Sequence, residues 1–205
     1  MTKRIFGAGR RAVLLGALAA PAVLRPAWGQ GFPSRPIRLV VPFPPAGAAD
    51  ITARLVGERV ASLLGQSVVV DNKPGAGGNI AAEFVARAAP DGYTLFLGGA
   101  TIFCAKKFHY GGSIPFDPIR DFTHLSRVSI GWYSIDGPAG LPAEIAKRLH
   151  GAVVQAVKQP DYGEKLRPLG FTPISDPSPA EFTAYIEAQI PLWQELVRVS
   201  GARIE

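Results

Sequence analysis

Between residues 37 and 97, short apolar runs alternate with helical stretches, and this alternation limits the fold more than any other feature of the chain. Ile37-Arg38-Leu39-Val40-Val41 is a β-branched run closed by Pro42, which reads as a strand. Beyond the loop Phe43-Pro44-Pro45-Ala46-Gly47-Ala48-Ala49, Asp50 reads as the N-cap of a helix. In that helix Ile51, Leu55, Val56, Val60, Leu63 and Leu64 recur at helical spacing, and Gly65 is its expected C-cap. Val68-Val69-Val70 is a second strand, 71–78 a glycine-rich loop, 79–89 a second helix stopped by Pro90, and Tyr93-Thr94-Leu95-Phe96-Leu97 a third strand. Strands joined by helical crossovers predict an α/β fold with a parallel sheet.

The remainder is less regular. Residues 111–128 are rich in Pro, Asp and Phe and show no period. Residues 142–158 form an amphipathic helix, with Ile145, Leu149, Val153 and Val157 four apart. A short helix near 161–169 and an extended stretch at 171–174 follow. Ser178, Pro179 and Glu181 then form a capping box with proline at the first helical position. Phe182, Tyr185, Ile186, Trp193, Leu196 and Val197 continue that helix's apolar stripe, and Pro191 is expected to kink it. Three buried strands need covering on both faces, so 36–100 and 140–200 are expected to share one core.

Residues 1–29 have the charged, apolar and small-residue order of a cleavable signal peptide. Lys3, Arg4, Arg10 and Arg11 come first, an apolar run spans 12–24, and Ala27-Trp28-Gly29 closes it. The run is shorter than the roughly 20 residues of a membrane span, so no membrane insertion of the mature chain is expected. The Arg10-Arg11 pair suggests the twin-arginine route. Five of the 22 Lys and Arg residues and none of the 16 acidic ones precede residue 30, which leaves 22 − 5 = 17 basic against 16 acidic. A chain so balanced lacks the basic footprint of a nucleic-acid binder. Cys104 is the only cysteine, so no intramolecular disulfide forms and stability rests on packing.

Few residues converge on chemistry. His109, His124 and His150 are scattered, without the spacing of a metal site, and no G-x-S-x-G nucleophile motif occurs. Gly75-Ala76-Gly77-Gly78-Asn79-Ile80 follows a strand and opens a helix. It lacks the lysine and hydroxyl of a P-loop, and Ile80 stands where a dinucleotide fingerprint needs glycine. Neither a cofactor nor a metal is expected. Two loops of small residues at helix N-termini remain, 42–50 and 72–79, and such ends attract anions, carboxylates included. The glycines could equally serve only to make tight turns.

The motifs themselves resemble a known family. Val41-Pro42-Phe43 with Gly47 and Asp50, then Asn72-Lys73-Pro74-Gly75-Ala76-Gly77-Gly78, then Pro90-Asp91-Gly92-Tyr93-Thr94-Leu95 are similar to the Bug family, the periplasmic solute receptors of tripartite tricarboxylate transporters. Ile114-Pro115-Phe116-Asp117-Pro118 with Asp121-Phe122, Gly137-Pro138-Ala139-Gly140-Leu141-Pro142, and Ser178-Pro179-Ala180-Glu181-Phe182 extend the likeness. The resemblance implies a periplasmic-binding-protein-like lobe with a mainly parallel sheet and flanking helices. It implies binding of a small carboxylate, passed on to a membrane permease. Phe43, Gly47, Ala48 and Asp50 from one loop and Gly75, Gly77, Gly78 and Asn79 from the other would contact the ligand, with Thr101 a further candidate. Ala46 stands where the family has glycine. The family's second lobe lies between blocks that here are almost adjacent, near Val128 and Gly131, so most of that lobe is missing.

The resulting organisation is a signal peptide at 1–29, the first part of lobe one with the start of a hinge at 30–128, and C-terminal helices completing the lobe at 129–205. The leading reading is a carboxylate receptor in the periplasm. Two others stay open: a remnant without a ligand, and an enzyme with a hydrolytic site assembled in space. N-terminal sequencing of the exported protein should return Gln30 or Gly31, and replacing Arg10 and Arg11 by Lys should block export on the twin-arginine route. Recovery of Met1 or Thr2 would contradict cleavage.

Overall fold

A computed structural model of the chain describes residues 31–105, 108, 114–130 and 133–200. Residues 1–29 and His109 lie outside them. The elements are β1 (Ile37–Val41), α1 (Ala48–Leu64), β2 (Val68–Asn72), α2 (Asn79–Ala86), β3 (Thr94–Gly99), β4 (Phe122–Ser129), β5 (Tyr133–Pro138), α3 (Ala143–Val157), α4 (Pro160–Leu166) and α5 (Pro179–Ser200). Short turns of helix precede α2 at Ala76–Gly78 and follow β3 at Thr101–Ala105.

The sheet order is β2-β1-β3-β5-β4. β1 pairs in parallel with both β2 and β3, while β5 runs antiparallel to β3 and to β4. Four strands therefore share one direction and only β5 opposes them, the mainly parallel α/β arrangement that the sequence implied. Apolar residues alternate along β1 to serve two layers. Ile37, Leu39 and Val41 join a cluster with Ala53, Val56 and Val60 of α1 and with Ile145, Leu149 and Val153 of α3. Val40 faces the other side, among Ala81, Ala82 and Val85 of α2, Phe96 and Phe103, and Phe182 and Ile186 of α5. Both faces of the central strands are thus buried by segments from each end of the described chain.

Two local expectations change. Residues 122–129 are a strand rather than an irregular stretch. Their polar His124, Ser126 and Arg127 hide the period, and β4 also carries irregularities between His124 and Ser126 and between Arg127 and Ser129. Those polar groups are wholly or partly buried with partners: Asp176 accepts from the Arg127 backbone N–H at 2.8 Å and from its guanidinium at 2.7 Å, and the Asp176 N–H donates to Ser126 Oγ. Gly47, not Asp50, caps α1. α5 runs as one helix from Pro179 to Ser200 with Pro191 inside it.

Only the first half of α5 is core. Phe182 and Ile186 are fully buried, Trp193 is half-buried, and Leu192, Leu196 and Val199 are 57%, 60% and 70% exposed. Phe182→Ala should therefore cost about 3–5 kcal/mol, as large-to-small changes in cores do, and Trp193→Ala clearly less. Equal shifts of the two variants in denaturant-induced unfolding would contradict this division.

Candidate functional site

The carboxyl ends of β1, β2 and β3 and the helix starts after β1 and β2 meet at one edge of the sheet. β1 connects through α1 to β2 on one side, and β2 connects through α2 to β3 on the other. The strand order therefore reverses around β1 and opens a crevice where open α/β sheets take ligands. Pro42, past the end of β1, and Ile102, past the end of β3, flank that crevice. Gly78 sits between them: an added Cβ would lie 3.2 Å from the Pro42 ring and 3.1 Å from the Ile102 methyl. Its φ of +100° also strains any L side chain.

Asp50 holds the edge together. It lies in the first turn of α1 and is 3% exposed. Its Oδ2 accepts from the Ala46 N–H at 3.0 Å and from Arg54 Nε at 2.9 Å, and its Oδ1 accepts from Arg54 Nη2 at 2.9 Å and Asn72 Nδ2 at 3.0 Å. Asn72 Nδ2 also donates to the Phe43 carbonyl at 3.0 Å, and the Lys73 N–H donates to the Val41 carbonyl. The loops after β1 and β2 are thereby bound to each other. The Arg54 hydrogen bonds hold the Asp50 carboxyl down at about 2 against the opposing effect of burial, with Ala46 and Asn72 assisting. Ala46 itself has φ +66°, a left-handed conformation that a Cβ disfavours. That is the physical reason a glycine suits this position.

The other predicted residues are distributed along the same edge. Phe43 is half-buried against the α1-side core, Gly47 is exposed at the start of α1, and Ala48 is that helix's first residue. Gly75 and Gly77 are exposed in the glycine turn, with Gly77 at φ +61°. Gly78 and Asn79 are buried at the start of α2, and Thr101 is exposed just past β3. α1 and α2 both begin on glycine with no side-chain cap, so their first-turn amides face the edge without a covering side chain. The Gly78 and Asn79 N–H groups are engaged within the turn, donating to the Gly75 and Ala76 carbonyls. Sequence reasoning missed Asn72 and Arg54 as members of the site. The Asp50–Arg54 spacing of four within a helix was the available signal.

The remaining reactive side chains are packed away. His124 Nδ1 lies 2.7 Å from Asp136 Oδ1, and Ser134 Oγ donates to Asp136 Oδ2 at 2.7 Å. The serine addresses the carboxylate instead of the imidazole, unlike a nucleophilic triad, and all three residues are buried. His124 Nε2 lies 3.0 Å from the Pro118 carbonyl, which only accepts, so that nitrogen carries a hydrogen. Burial pushes the Asp136 carboxyl up, and its bonds to His124, Ser134 and the Gly98 N–H oppose that. Burial likewise pushes the Cys104 thiol up to about 12, far from an activated thiolate. His150 Nε2 lies 3.0 Å from the Asp176 carbonyl.

Residues 52–131 match the model of the tripartite tricarboxylate transporter family receptor. Protein BugT of Bordetella pertussis is 38% identical over 111 residues, 54% of this chain and 34% of that protein. A UPF0065 protein from the tcbD-tcbE intergenic region of Pseudomonas sp. is 42% identical over 116 residues, 56% of this chain and 34% of that one. The chain spans about a third of the length of the curated relatives it matches. Among solved structures, the periplasmic binding protein BugD aligns with a TM-score of 0.77 at 19% identity, over 85% of this chain and 100% of that one. A Rhodopseudomonas palustris protein with bound malate aligns at 0.74 and 19%, over 81% and 100%.

Because Asp50 is a stronger acid in the folded chain than in the unfolded one, its contribution is present above pH 3.8 and is lost as pH falls from there toward 2. Arg54 is more than half exposed, which screens the pair. Asp50→Asn should thus remove about 1–2 kcal/mol at neutral pH and flatten the acid limb of stability between pH 4 and 2; an unchanged limb in pH-dependent unfolding would contradict the assignment. Residues 52–131 thus match the receptor family's model, the chain is similar to Bug and UPF0065 proteins over part of its length, and its fold is that of periplasmic binding proteins such as BugD.

Proposed function

We propose that the chain is an extracytoplasmic receptor for a small carboxylate, serving a tripartite tricarboxylate transport system through a membrane permease. The observation that carries this reading is the pair of uncapped helix starts, α1 and α2, at a strand-order reversal. Backbone amides at such ends favour an anion. The Arg54 guanidinium offsets the Asp50 charge, so the edge does not repel one. In this reading Gly47, Ala48, Gly75, Gly77, Gly78, Asn79 and Thr101 line the ligand. Phe43 and Asp50 act mainly by holding the loops, since the Asp50 oxygens are already occupied. The solved relative with bound malate agrees with a carboxylate as the ligand class.

A single lobe offers one wall, whereas small-ligand sites bury most of their ligand. Each helix-end interaction with a surface anion contributes only about 0.3–1 kcal/mol. The expected dissociation constant is therefore near or above roughly 1 mM, about −4 kcal/mol, and Gly77→Val should weaken it by distorting the turn. Calorimetric or NMR titration with succinate, citrate, glutamate and malate is the test. Micromolar binding would mean that a second wall is present. Failure of every anion to bind saturably would make the glycine turn purely structural and favour the ligand-free remnant.

A further inference from the structure

The sheet has two outer strands, β4 and β2, and among the described residues only β4 is covered. The extended segment before α5 takes up its outer side: the Ile130 N–H donates to the Thr172 carbonyl, the Arg127 N–H to Asp176, and the Asp176 N–H to Ser126 Oγ. β4 is also broken by its two irregularities. β2 has neither protection, and its five residues pair with β1 in unbroken register. The Ile37 N–H donates to the Ser67 carbonyl and the Lys73 N–H to the Val41 carbonyl. Val69 and Asp71 therefore turn their backbone groups toward β1, while Val68, Val70 and Asn72 turn theirs outward. Among the described residues no backbone hydrogen bond meets that outer side. Native proteins blunt such an edge with lysine, proline or a bulge, and Val68-Val69-Val70 has none of these.

The side chains beside this edge are apolar and open to solvent. Val68 and Val70 are half-buried against the α1-side cluster, and Val69, on the opposite face, is 53% exposed. On that face Ile80 and Phe84 of α2, 53% and 38% exposed, line an open hollow with Glu83, Arg87 and Ala88. The charges around it are matched within the chain. The Arg38 guanidinium and the Lys73 ammonium lie 5.9 and 4.7 Å from the centre of the Phe84 ring and 3.9 and 3.4 Å from Asp71 Oδ2, and Arg87 pairs with Glu83. What the edge offers is a row of unpaired backbone groups and valines, and a second copy of the same strand complements both. In an antiparallel pair outward residues must face outward residues, and like charges directly opposite are destabilising. A two-fold axis at Asp71 would set two carboxylates against each other, and one at Val70 would set each carboxylate against Val69. An axis at Val69 places Asp71 opposite Ser67 and pairs all three valines with valines.

We infer that β2 is a dimerisation edge, to which a second copy of this chain adds its own β2 antiparallel about a two-fold axis at Val69, so that two five-stranded sheets become one. Val68 of each copy exchanges backbone hydrogen bonds with Val70 of the other, and the two Val69 side chains meet as a non-hydrogen-bonded pair, with Ile80 and Phe84 of both copies beside them. The antiparallel join points the two crevices toward opposite ends, so the dimer supplies no second wall and its test is independent of ligand binding. Sedimentation equilibrium of the purified chain should give twice the mass of one chain, falling to the mass of one chain on dilution. Val69→Lys, at an exposed position, should give monomers at every concentration with an unchanged circular dichroism spectrum. Val69→Cys should form an intermolecular disulfide under mild oxidation, since facing side chains of such a pair come within disulfide reach, whereas Ser67→Cys should not. The native Cys104 is buried and does not compete. If Val69→Lys fails to fold, the two cysteine variants decide. A monomer at all concentrations, a dimer that persists in Val69→Lys, or cross-linking through Ser67→Cys but not Val69→Cys would overturn the proposal. The second of these results would move the contact to another face, such as the exposed end of α5.

Discussion

With Val40 facing one apolar cluster and Ile37, Leu39 and Val41 facing the other, β1 is buried on both faces apart from Arg38 near its start, and the arrangement around it follows from that. A strand buried on both faces must be covered by helices on both. α1 therefore packs on one face and α2 on the other, so β2 and β3 are delivered to opposite flanks of β1. The crevice at the carboxyl edge is a product of this covering requirement. It would exist whether or not anything bound there, which is why the uncapped helix starts carry more functional weight than the crevice itself.

The Asp50 carboxylate gives that edge its rigidity. In one position it takes a donor from the preceding loop, two from its own helix and one from the end of β2. A bidentate arginine pair is geometrically demanding, so the two loops are held in fixed positions relative to each other. Preorganisation of this kind lowers the ordering cost of binding.

The parallel core was legible because its signal is local. Ile37–Val41, Val68–Val70 and Tyr93–Leu97 are apolar runs flanked by turn residues, and α1 and α3 show clear helical spacing. β4 was not legible because its interior holds His124, Ser126 and Arg127, whose burial is tolerable only through Asp136 and Asp176, 12 and 49 residues away. No reading of a local window supplies such partners. The site shows the same division. Glycines 75, 77 and 78 announce the turn from sequence, whereas the attachment of Asn72 to Phe43 and Asp50 depends on β1 and β2 being neighbours. The end of α5 misled in the other direction, because Leu196 continues an apolar stripe and yet stands in solvent. Periodicity reports which side chains could be buried, and only the presence of a facing layer decides which are.

The cluster on the α2 side of the sheet also sets the timing of folding. Val40 is made early, but Phe182 and Ile186, which seal that cluster, follow about 140 residues later. At synthesis rates of roughly 5–20 residues per second, the apolar face of the sheet stays open for on the order of ten seconds on the ribosome. During that interval α2 covers this side with Ala81, Ala82 and Val85, but Phe96 and Phe103 still lack Phe182 and Ile186. The last helix is then the step that closes this side of the sheet.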